Sequence, residues 1–470
     1  MSDPILDAHR EDPHHYVISG PAPISIRDQM LRGVTLIDRL LEAGEIGTQR
    51  ALAVIGAGAG GASAAIYAAA RRISTTLIER NNAGFLTQRL ATTRVIDPTQ
   101  YDWPLDHCYI GRVPWAAYHQ PLPLSFAAAR ADHLAVRWQY ELRAAAATFA
   151  LTVRFSTAVS NVTPTPADLL RVTFASGGSI DVGAIVNAKG FGNEQCRIEH
   201  PAGTLHYEGQ PFWGPDKFAT LDPNKHKVLI SGAGDGALQD YLRIVTGLGR
   251  AIDIVKQCNI PSSVLQAIQS AEDRSHRGRS WATNQPAHLR REHEGPYFWE
   301  LEQVHRAMVS QLLTYPLVRS GLQRLPLKKV PVTIVYPEPY IAAYYGLNRF
   351  LVLLLSQYLV LLLSQYTEST MLCPGWVIDT IQESPPNSHN CTTQVGTQSH
   401  ANGTYVSGVL VNHECFEKDH QVRFRSLFQP PISSAPLSTT YNVIIVRHGL
   451  QSRLPQALQR PRHLLPYHRP

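Results

Sequence analysis

The sequence has little charge and no closely spaced pair of cysteines. Only 17% of its residues are Asp, Glu, Lys or Arg, and so low a charged fraction indicates extensive buried surface rather than disorder. Its six cysteines include no Cys-x-x-Cys pair, which argues against a zinc ribbon and against a local redox disulfide. A chain of this length also does not resemble a disulfide framework, so we expect a reducing, cytoplasmic environment.

Several features that define other classes of protein are missing as well. The first residues are polar and contain no apolar signal-peptide core, so no secretory signal is expected. No His-Glu-x-x-His or similar spacing is present, and no metal site is predicted. The formal net charge of +6 over 470 residues is too small for a nucleic-acid-binding surface. We therefore expect a protein that acts on a small molecule and binds no nucleic acid.

The chain is long, but its longest apolar run is short. With 470 residues it exceeds the size at which one hydrophobic core stops growing, so two or more domains are expected. The run lies in residues 350–366, where the octapeptide LVLLLSQY occurs twice in tandem, and Ser356 and Gln357 interrupt it. It is too short to cross a bilayer, so we expect a buried helix and no membrane span. An eight-residue period drifts by about 80° per copy on an α-helix.

A strand–turn–helix–strand pattern follows an N-terminal helix that is predicted over residues 24–43. Ala51–Ile55 is a short apolar run, typical of a buried parallel strand. Glycines follow at once, an Ala-rich helix is predicted from about Ala62 to Arg72, and a second strand, Ser74–Ile78, ends in Glu79. The pattern predicts one βαβ unit of about 30 residues.

The glycines of this unit have the Gly-x-Gly-x-x-Gly spacing of a dinucleotide-binding turn. Gly56 permits the tight turn, Gly58 lets the backbone approach a pyrophosphate, and Gly61 lets the helix pack closely on the strand. The helix then offers free N–H groups and the positive end of its dipole to the phosphates. Glu79 is placed to accept hydrogen bonds from ribose hydroxyls. A Gly/Ala-rich turn without a ligand is the alternative.

A second unit of the same kind occurs later in the chain. The strand Val228–Ile230 leads into the turn Gly232–Gly236 and a helix at Ala237–Gly247. The next strand is predicted at Ile252–Val255, and Lys256 rather than an acid follows it. Because Lys256 could pair with a ribose 2′-phosphate, NADP is favoured over NAD. A unit that keeps the fold without binding a nucleotide is the alternative. The residues assigned to this second site are Gly232, Gly234, Gly236 and Lys256.

Between the two units the apolar residues alternate with a period of two. They do so in Val153–Thr157, in Leu170–Phe174 and in Ile180–Val182, which predicts a three-stranded β-meander. A buried strand, Ala184–Ala188, follows the meander and stops at the dipeptide Lys189-Gly190.

Two βαβ units separated by a β-meander resemble the flavoproteins with two dinucleotide-binding domains, such as the glutathione-reductase type and the flavin-containing monooxygenases. The resemblance covers about residues 50–258 and implies that the first unit binds FAD and the second a nicotinamide nucleotide. In that family the strand after the meander ends in an Ala-Thr-Gly segment beside the flavin, and here Lys189 stands in place of Thr. Without a Cys-x-x-Cys near the first unit, disulfide reductase chemistry is not expected. The residues assigned to the first site are Gly56, Gly58, Gly60, Gly61, Glu79, Arg80, Val159, Lys189 and Gly190.

Further segments are similar to those of uncharacterised bacterial FAD/NAD(P)-binding proteins. This resemblance names no substrate. The late Gly-Asp segment that helps to hold the flavin in the wider family is not recognisable in residues 340–470. The similar segments are Arg94–Pro98 with Tyr101–Pro104, Phe212-Trp213 with Asp216, Ser231–Asp240, and Val446–Gly449.

Two places supply candidate catalytic residues. The apolar run Tyr441–Val446 predicts a strand that returns to one of the central sheets. Residues at the carboxyl end of such a strand face the ligand crevice, so Arg447 and His448 are candidates, with a structural Arg/His pair as the alternative. A loop rich in aromatic and titratable groups adds Asp102 and His107, on position alone.

The sequence thus predicts an α/β fold with two Rossmann-like dinucleotide-binding units, an inserted β-meander and a mainly helical or irregular C-terminal part. We expect an FAD-binding domain over residues 1–225, an NAD(P)-binding-like domain with a helical insertion over 226–345, and a C-terminal segment over 346–470 that returns to the central sheets. The predicted function is that of an FAD-dependent NAD(P)H oxidoreductase or monooxygenase-like enzyme, which passes hydride from NAD(P)H through flavin to a small substrate or oxygen. The alternative is a catalytically inactive nucleotide-binding sensor or scaffold of the same fold.

Overall fold

Two open α/β sheets form the centre of the molecule. The computed structural model describes residues 3–19, 25–100, 103–104, 122–190, 192, 194–199, 205–282, 287–362, 371–383, 419–427 and 440–448. The strands in chain order are β1 (Arg10–Asp12), β2 (His15–Val17), β3 (Leu52–Ile55), β4 (Thr75–Ile78), β5 (Val95–Ile96), β6 (Ala129–Arg130), β7 (Leu151–Arg154), β8 (Val159–Pro164), β9 (Leu170–Phe174), β10 (Ser179–Val182), β11 (Ala184–Asn187), β12 (Arg197–Glu199), β13 (Leu205–Glu208), β14 (Val228–Ser231), β15 (Val332–Tyr336), β16 (Met371–Pro374), β17 (Trp376–Glu383), β18 (His420–Ser426), β19 (Thr440–Tyr441) and β20 (Val443–Val446). The helices are α1 (Pro4–His9), α2 (Ile26–Glu42), α3 (Ala59–Ala70), α4 (Leu86–Leu90), α5 (Ala131–Thr148), α6 (Asp235–Thr246), α7 (Ala251–Cys258), α8 (Ser262–Ala282), α9 (Ala287–Leu312), α10 (Pro316–Gln323) and α11 (Gly346–Leu362).

The first unit is organised by a six-stranded sheet with the order β1-β2-β11-β3-β4-β7. Its neighbours are parallel except for the edge pair β1–β2. Successive residues of a strand point to opposite faces: Leu52 and Val54 pack with helices α2, α3 and α5, whereas Ala53 and Ile55 pack against the meander β8–β10. Because both faces are covered, β3 is apolar at every position, as its sequence predicts.

The second unit has a sheet of four parallel strands in the order β16-β15-β14-β20. Helices α6–α11 cover one face, and residues of β12, β17 and β18 pack against the other. The predicted α/β class with two Rossmann-like units and an inserted meander is therefore confirmed. After α11 the described residues form the strands β16–β20, which is more strand than the sequence predicts.

The first strand of the predicted meander lies elsewhere. Alternation over Val153–Thr157 was expected to begin the meander, but Leu151–Arg154 is β7 and pairs in parallel with β4 in the first sheet. The meander itself starts at Val159 and runs through β8, β9 and β10. Apolar and polar residues alternate both in an exposed edge strand of a mixed sheet and in a meander strand. The sequence pattern therefore could not distinguish the two.

The predicted strand Ile252–Val255 is wrong, because these residues belong to helix α7. Ile252, Ile254 and Cys258 are buried, and so short an apolar segment is compatible with either period. The strand that follows β14 and α6 in the second sheet is β15, which comes only after helices α7–α10.

The tandem repeat lies on helix α11 and changes its environment from one copy to the next. Leu353 of the first copy is fully buried, whereas the matching Leu361 of the second copy is 58% exposed. The drift of about 80° per copy turns this position of the second copy away from the core. Within the described ranges, no helix is long and apolar enough to cross a membrane.

The repeat provides a matched pair of substitutions. We expect Leu353→Ala to lower the free energy of unfolding by about 2–5 kcal/mol, because it leaves a cavity in the core. Leu361→Ala removes the same atoms at the same repeat position, and we expect it to change the stability little. Urea unfolding of both variants measures the difference. Equal losses would contradict the observed difference in burial between Leu353 and Leu361.

Candidate functional site

Each central sheet has a topological switch point, where the chain continues from one strand to neighbours on both sides. In the first sheet this point lies between β3 and β11, since β4 flanks β3 on the other side. In the second sheet it lies between β14 and β20. Ligands of open α/β sheets bind outside the carboxyl ends of the strands at such points. Both predicted glycine turns lie there.

The turn of the first unit requires glycine at two positions. Gly56 has a φ of +107°, and a Cβ added to it would lie 2.5 Å from the carbonyl oxygen of Ala188 at the end of β11. A Cβ at Gly61 would overlap the carbonyl oxygen of Gly56. These contacts hold helix α3 close to β3 and to the neighbouring strand, as the spacing predicts.

Gly58 has a different environment. It is the N-cap residue of α3, its φ is −76°, and no side chain caps the helix there. A Cβ on Gly58 would meet no atom within 4 Å. The start of α3 therefore presents N–H groups and the positive end of the helix dipole to open space, which is the arrangement that binds a phosphate.

Gly60 serves packing between helices. A Cβ there would lie 3.1 Å from Cβ and from the carbonyl oxygen of Gln29 on α2. Gly33 of α2 is equally close to α3, since its Cβ would lie 2.8 Å from the carbonyl oxygen of Gly60. The close approach of α2 was not predicted from the sequence. The assignment of Gly60 to the cofactor stays a prediction.

Glu79 follows β4 and is bonded to the turn. Its Oε2 accepts a hydrogen bond of 2.8 Å from the backbone N–H of Ala57, and its Oε1 accepts bonds from the N–H and the side-chain amide of Asn81 at 2.9 and 2.7 Å. The residue is half-buried. Oε2 keeps a further lone pair, so Glu79 can position the turn and also accept a bond from a hydroxyl group.

Three of the remaining residues assigned to the first site follow strands of the first sheet, and the fourth lies in the meander. Arg80 is exposed directly after Glu79, and Lys189 and Gly190 are exposed directly after β11. Val159 begins β8 and packs against the cluster that contains Ile55. The donors and acceptors of this edge fit an adenine dinucleotide: an open helix start for the pyrophosphate and a carboxylate for the ribose.

The turn of the second unit repeats the backbone of the first. Gly232 has a φ of +116°, and a Cβ there would overlap the carbonyl oxygen of Arg447 at the end of β20. Gly234 is the N-cap residue of α6, without a side-chain cap and with no atom within 4 Å of an added Cβ. The second turn therefore also opens a helix start toward a switch point.

The match between the two turns assigns equivalent residues. The N–H of Gly56 donates to the carbonyl of Ile78, and the N–H of Gly232 donates to that of Val335, each at 2.8 Å. Tyr336 of β15 therefore occupies the position of Glu79. Lys256 was expected at this position, but it lies in the last turn of helix α7, so the sequence argument for its contact with a 2′-phosphate is wrong.

Asp235, the first residue of α6, connects the second turn to helix α11. Its carboxylate accepts hydrogen bonds from the N–H groups of Tyr344 and Tyr345 at 2.8 and 3.1 Å, and from the amide of Asn348 at 3.0 Å. Burial raises the pKa of Asp235 in spite of these donors. The carboxylate therefore fixes the segment after β15 beside the start of α6.

Arg447 and His448 lie at the carboxyl end of β20, beside the second turn. All three guanidinium nitrogens of Arg447 are bonded: Nε and Nη2 to Oδ2 of Asp240 at 2.9 and 2.8 Å, and Nη1 to the carbonyls of Gln210 and Val446. This geometry favours the structural alternative for Arg447 over a catalytic role. Asp102 and His107 lie outside the described residues.

His448, the other described catalytic candidate, is exposed at the end of β20. Its Nε2 lies 2.7 Å from Oγ of Ser231, the last residue of β14. Desolvation of the ring lowers the pKa of His448, although the residue as a whole is exposed. A neutral imidazole can accept the hydroxyl proton of Ser231 in this hydrogen bond.

A buried ionic network joins the two units behind the second turn. Arg94, from the first unit, pairs through Nη1 with Oδ1 of Asp240, and its Nε lies 3.6 Å from Asp216. Arg243 binds Asp216 at 2.7 Å and donates to the carbonyl of Thr93 at 2.9 Å. Arg94 and Asp240 are 2% and 0% exposed. Removal of either one would therefore leave the other as a buried charge without this counter-ion.

Arg94, Asp216 and Asp240 lie in the segments that are similar to FAD/NAD(P)-binding proteins, but the sequence predicted no role for them. A signal was available for Asp240, because it lies among the apolar residues of an otherwise amphipathic helix, where an unpaired carboxylate would be costly. The sequence contains nothing that identifies its partners. They are Arg94 of the first unit, Arg447 at the end of β20 and Arg243 on the same helix.

A second buried charge cluster lies among helices α8, α9 and α11. His305 is fully buried, with Nε2 3.2 Å from Oε1 of Glu272, and the same oxygen accepts a bond of 2.9 Å from Arg349. Glu302, also close to His305, accepts a bond of 2.6 Å from the N–H of Ile341. Burial lowers the pKa of His305, in opposition to Glu272.

This cluster predicts acid sensitivity. Because the pKa of His305 is lower in the folded than in the unfolded protein, its contribution to stability is complete above about pH 6.5 and is lost as the pH falls through the folded value. We expect His305→Gln to flatten the pH dependence of the free energy of unfolding below pH 6.5. Urea unfolding across this range measures it, and an unchanged slope would contradict the assignment.

Comparison of this chain with known proteins finds similarity to solved structures. No protein-family model and no curated protein matches it. Similar solved structures include thioredoxin reductase from Lactococcus lactis, with 11% identity over 86% of this chain and 78% of that one and a TM-score of 0.35. Bacillithiol disulfide reductase from Staphylococcus aureus has 13% identity over 71% and 68% and a TM-score of 0.35. Flavin-containing monooxygenase from Stenotrophomonas maltophilia has 18% identity over 42% and 54% and a TM-score of 0.26. At these TM-scores the similarities assign neither an activity nor a residue role to this chain.

Proposed function

We propose that the protein is a flavin-dependent oxidoreductase, with FAD at the first glycine turn and NAD(P)H at the second. The observation that carries the proposal is the open start of α3 at Gly58, with Glu79 bonded to the same turn through Ala57. It combines a phosphate site with a ribose acceptor at a switch point. When bound, the flavin would accept a hydride from NAD(P)H and supply electrons to a small substrate or to oxygen.

Different residues at this edge of the first sheet would bind different parts of FAD. The first N–H groups of α3 would hold the pyrophosphate, and the carboxylate of Glu79 would accept hydrogen bonds from the ribose hydroxyls. Val159 would pack beside the nucleotide, with Arg80 next to Glu79. Lys189 and Gly190, at the end of β11, would lie at the flavin side of the site.

The second edge would bind the nicotinamide nucleotide. The start of α6 at Gly232, Gly234 and Gly236 would receive the phosphates, as proposed for the first unit. Because Tyr336 stands where the first unit has Glu79, no carboxylate at that position repels a ribose 2′-phosphate, and NADPH is favoured over NADH. Beside this turn, Nε2 of His448 would accept the hydroxyl proton of Ser231.

Anaerobic addition of NADPH or NADH to FAD-loaded protein tests the proposal. We expect NADPH to bleach the flavin band near ~450 nm, and the matched variant Gly234→Ser to keep its flavin but to lose this reduction. A serine at this N-cap position would cap α6 and fill the open space at its start. Flavin that neither nucleotide reduces would contradict the proposed reductant.

A second candidate is a nucleotide-binding sensor or scaffold without turnover. It is favoured by the burial of Arg447 in salt bridges, which removes one of the two predicted catalytic residues beside the second turn. Saturable binding of FAD and NADPH without steady-state oxidation of NADPH would support this candidate. Measured turnover would exclude it.

A further inference from the structure

The second glycine turn is in contact with two side chains that reach back toward the first unit. A Cβ at Gly232 would overlap the carbonyl oxygen of Arg447, and one at Gly236 would lie 3.7 Å from Cδ of the same arginine. The added Cβ at Gly236 would also lie 3.1 Å from the ring of Phe212. The positions of Arg447 and Phe212 therefore limit where the backbone of this turn can lie.

Both of these side chains are linked to Arg94, Arg447 through Asp240 and Phe212 by direct contact. Asp240 accepts from Arg447 on Oδ2 and from Arg94 on Oδ1, so one buried carboxylate joins the two arginines. The guanidinium of Arg94 also lies over the ring of Phe212, 4.1 Å from its centroid. Arg94 thus supports the turn by two routes, one ionic and one through an aromatic ring.

Arg94 is itself fixed to the backbone of the first unit. Its N–H donates to the carbonyl of Ala91, and its own carbonyl accepts from the N–H of Ala131 at the start of α5. The preceding helix, α4, begins after Phe85, whose N–H donates to the carbonyl of Ala57 in the first glycine turn at 2.9 Å. A continuous chain of packed and bonded groups therefore runs from one turn to the other.

We propose that Arg94, a residue of the first unit, is a positioning residue for the nucleotide turn of the second unit, acting through Asp240, Arg447 and Phe212. This inference rests on the proposed function in one respect, that the second turn binds NAD(P)H. Arg94 itself touches no ligand in this account. It holds the start of α6 in the conformation that receives the phosphates, so its loss weakens nucleotide binding without removing a direct contact.

The same interface provides a matched control. Arg250 donates to Asp97 at 2.7 Å, so this pair also joins the second unit to the first, and it does not include Asp240 or Phe212. Arg250→Met and Arg94→Met each remove one arginine from the interface. Only Arg94→Met should affect the second glycine turn.

Two measurements test the proposal. In amide hydrogen exchange without ligand, we expect Arg94→Met to speed exchange in residues 232–240, and Arg250→Met to leave these residues unchanged. In FAD-loaded protein, we expect Arg94→Met to raise the Kd for NADPH by at least about tenfold, with flavin content unchanged, and Arg250→Met to keep the wild-type Kd. If Arg94→Met does not fold, Arg94→Lys replaces it, because a lysine keeps the charge but lacks the planar fork.

The outcomes are distinguishable. Unchanged exchange in residues 232–240 of the Arg94 variant, or equal effects of the two variants, would overturn the positioning role. If the wild-type protein binds neither NADPH nor NADH, the proposed function fails, while the exchange measurement still decides whether Arg94 positions the turn.

Discussion

A Gly58→Ser variant is expected to fold with at least wild-type stability and to lose at least about tenfold in affinity for FAD. Serine is a better N-cap residue than glycine by a few tenths of a kcal/mol, since its hydroxyl can accept from the first free N–H groups of α3. The same hydroxyl enters the open space at Gly58, where an added Cβ meets no atom within 4 Å. It would therefore compete with the pyrophosphate for space and for donors. Titration of the variant with FAD, together with a thermal melt, measures both effects.

Two further glycine variants make this result specific. Gly47→Ser adds the same side chain to a loop where a Cβ also meets no atom within 4 Å, and we expect no change in FAD affinity. Gly61→Ala, in contrast, forces a Cβ into the carbonyl oxygen of Gly56, so we expect lower stability together with lost binding. Wild-type FAD affinity in the Gly58 variant would mean that the start of α3 is not the phosphate site.

The second large effect is expected for Asp240→Asn, with a loss of about 3–5 kcal/mol in the free energy of unfolding. Asp240 is the carboxylate shared by Arg94 and Arg447, which are 2% and 7% exposed. The amide keeps the shape of the side chain but removes its charge, so the two buried guanidinium groups lose the carboxylate that they share. Urea unfolding measures the loss.

An exposed ion pair is the control for Asp240→Asn. Asp181 accepts two hydrogen bonds of 2.8 Å from Arg171 on the surface of the meander. We expect Asp181→Asn to change stability little, because water solvates both partners and screens their interaction. If the two variants were equally stable, the buried network would not join the units as the structure indicates.

The first glycine turn could be predicted from the sequence because every signal for it is local. The apolar run before Gly56, the spacing of the glycines and the acid after the next strand all lie within about 30 residues. The structure confirms this strand–turn–helix–strand order, and Glu79 lies beside the turn. Its contact with the N–H of Ala57 fixes a geometry that spacing alone could not give.

The second site was predicted less completely, because its parts are far apart in the chain. The strand next to β14 follows four further helices, so the residue after it, Tyr336, could not be recognised, and Lys256 was assigned in its place. Arg447 was placed correctly at the end of a strand, but its partner Asp240 lies about 200 residues earlier. Ion pairs of this kind depend on tertiary packing, which local periodicity does not contain.

The visible absorption spectrum of the purified protein, before and after incubation with FAD and removal of the excess, tests the central claim most directly. We predict bands near ~370 and ~450 nm that remain with the wild-type protein, with one flavin bound per chain, and that are lost in Gly58→Ser. A folded protein that stays colourless after incubation with FAD would contradict the assignment of the first glycine turn to a flavin dinucleotide.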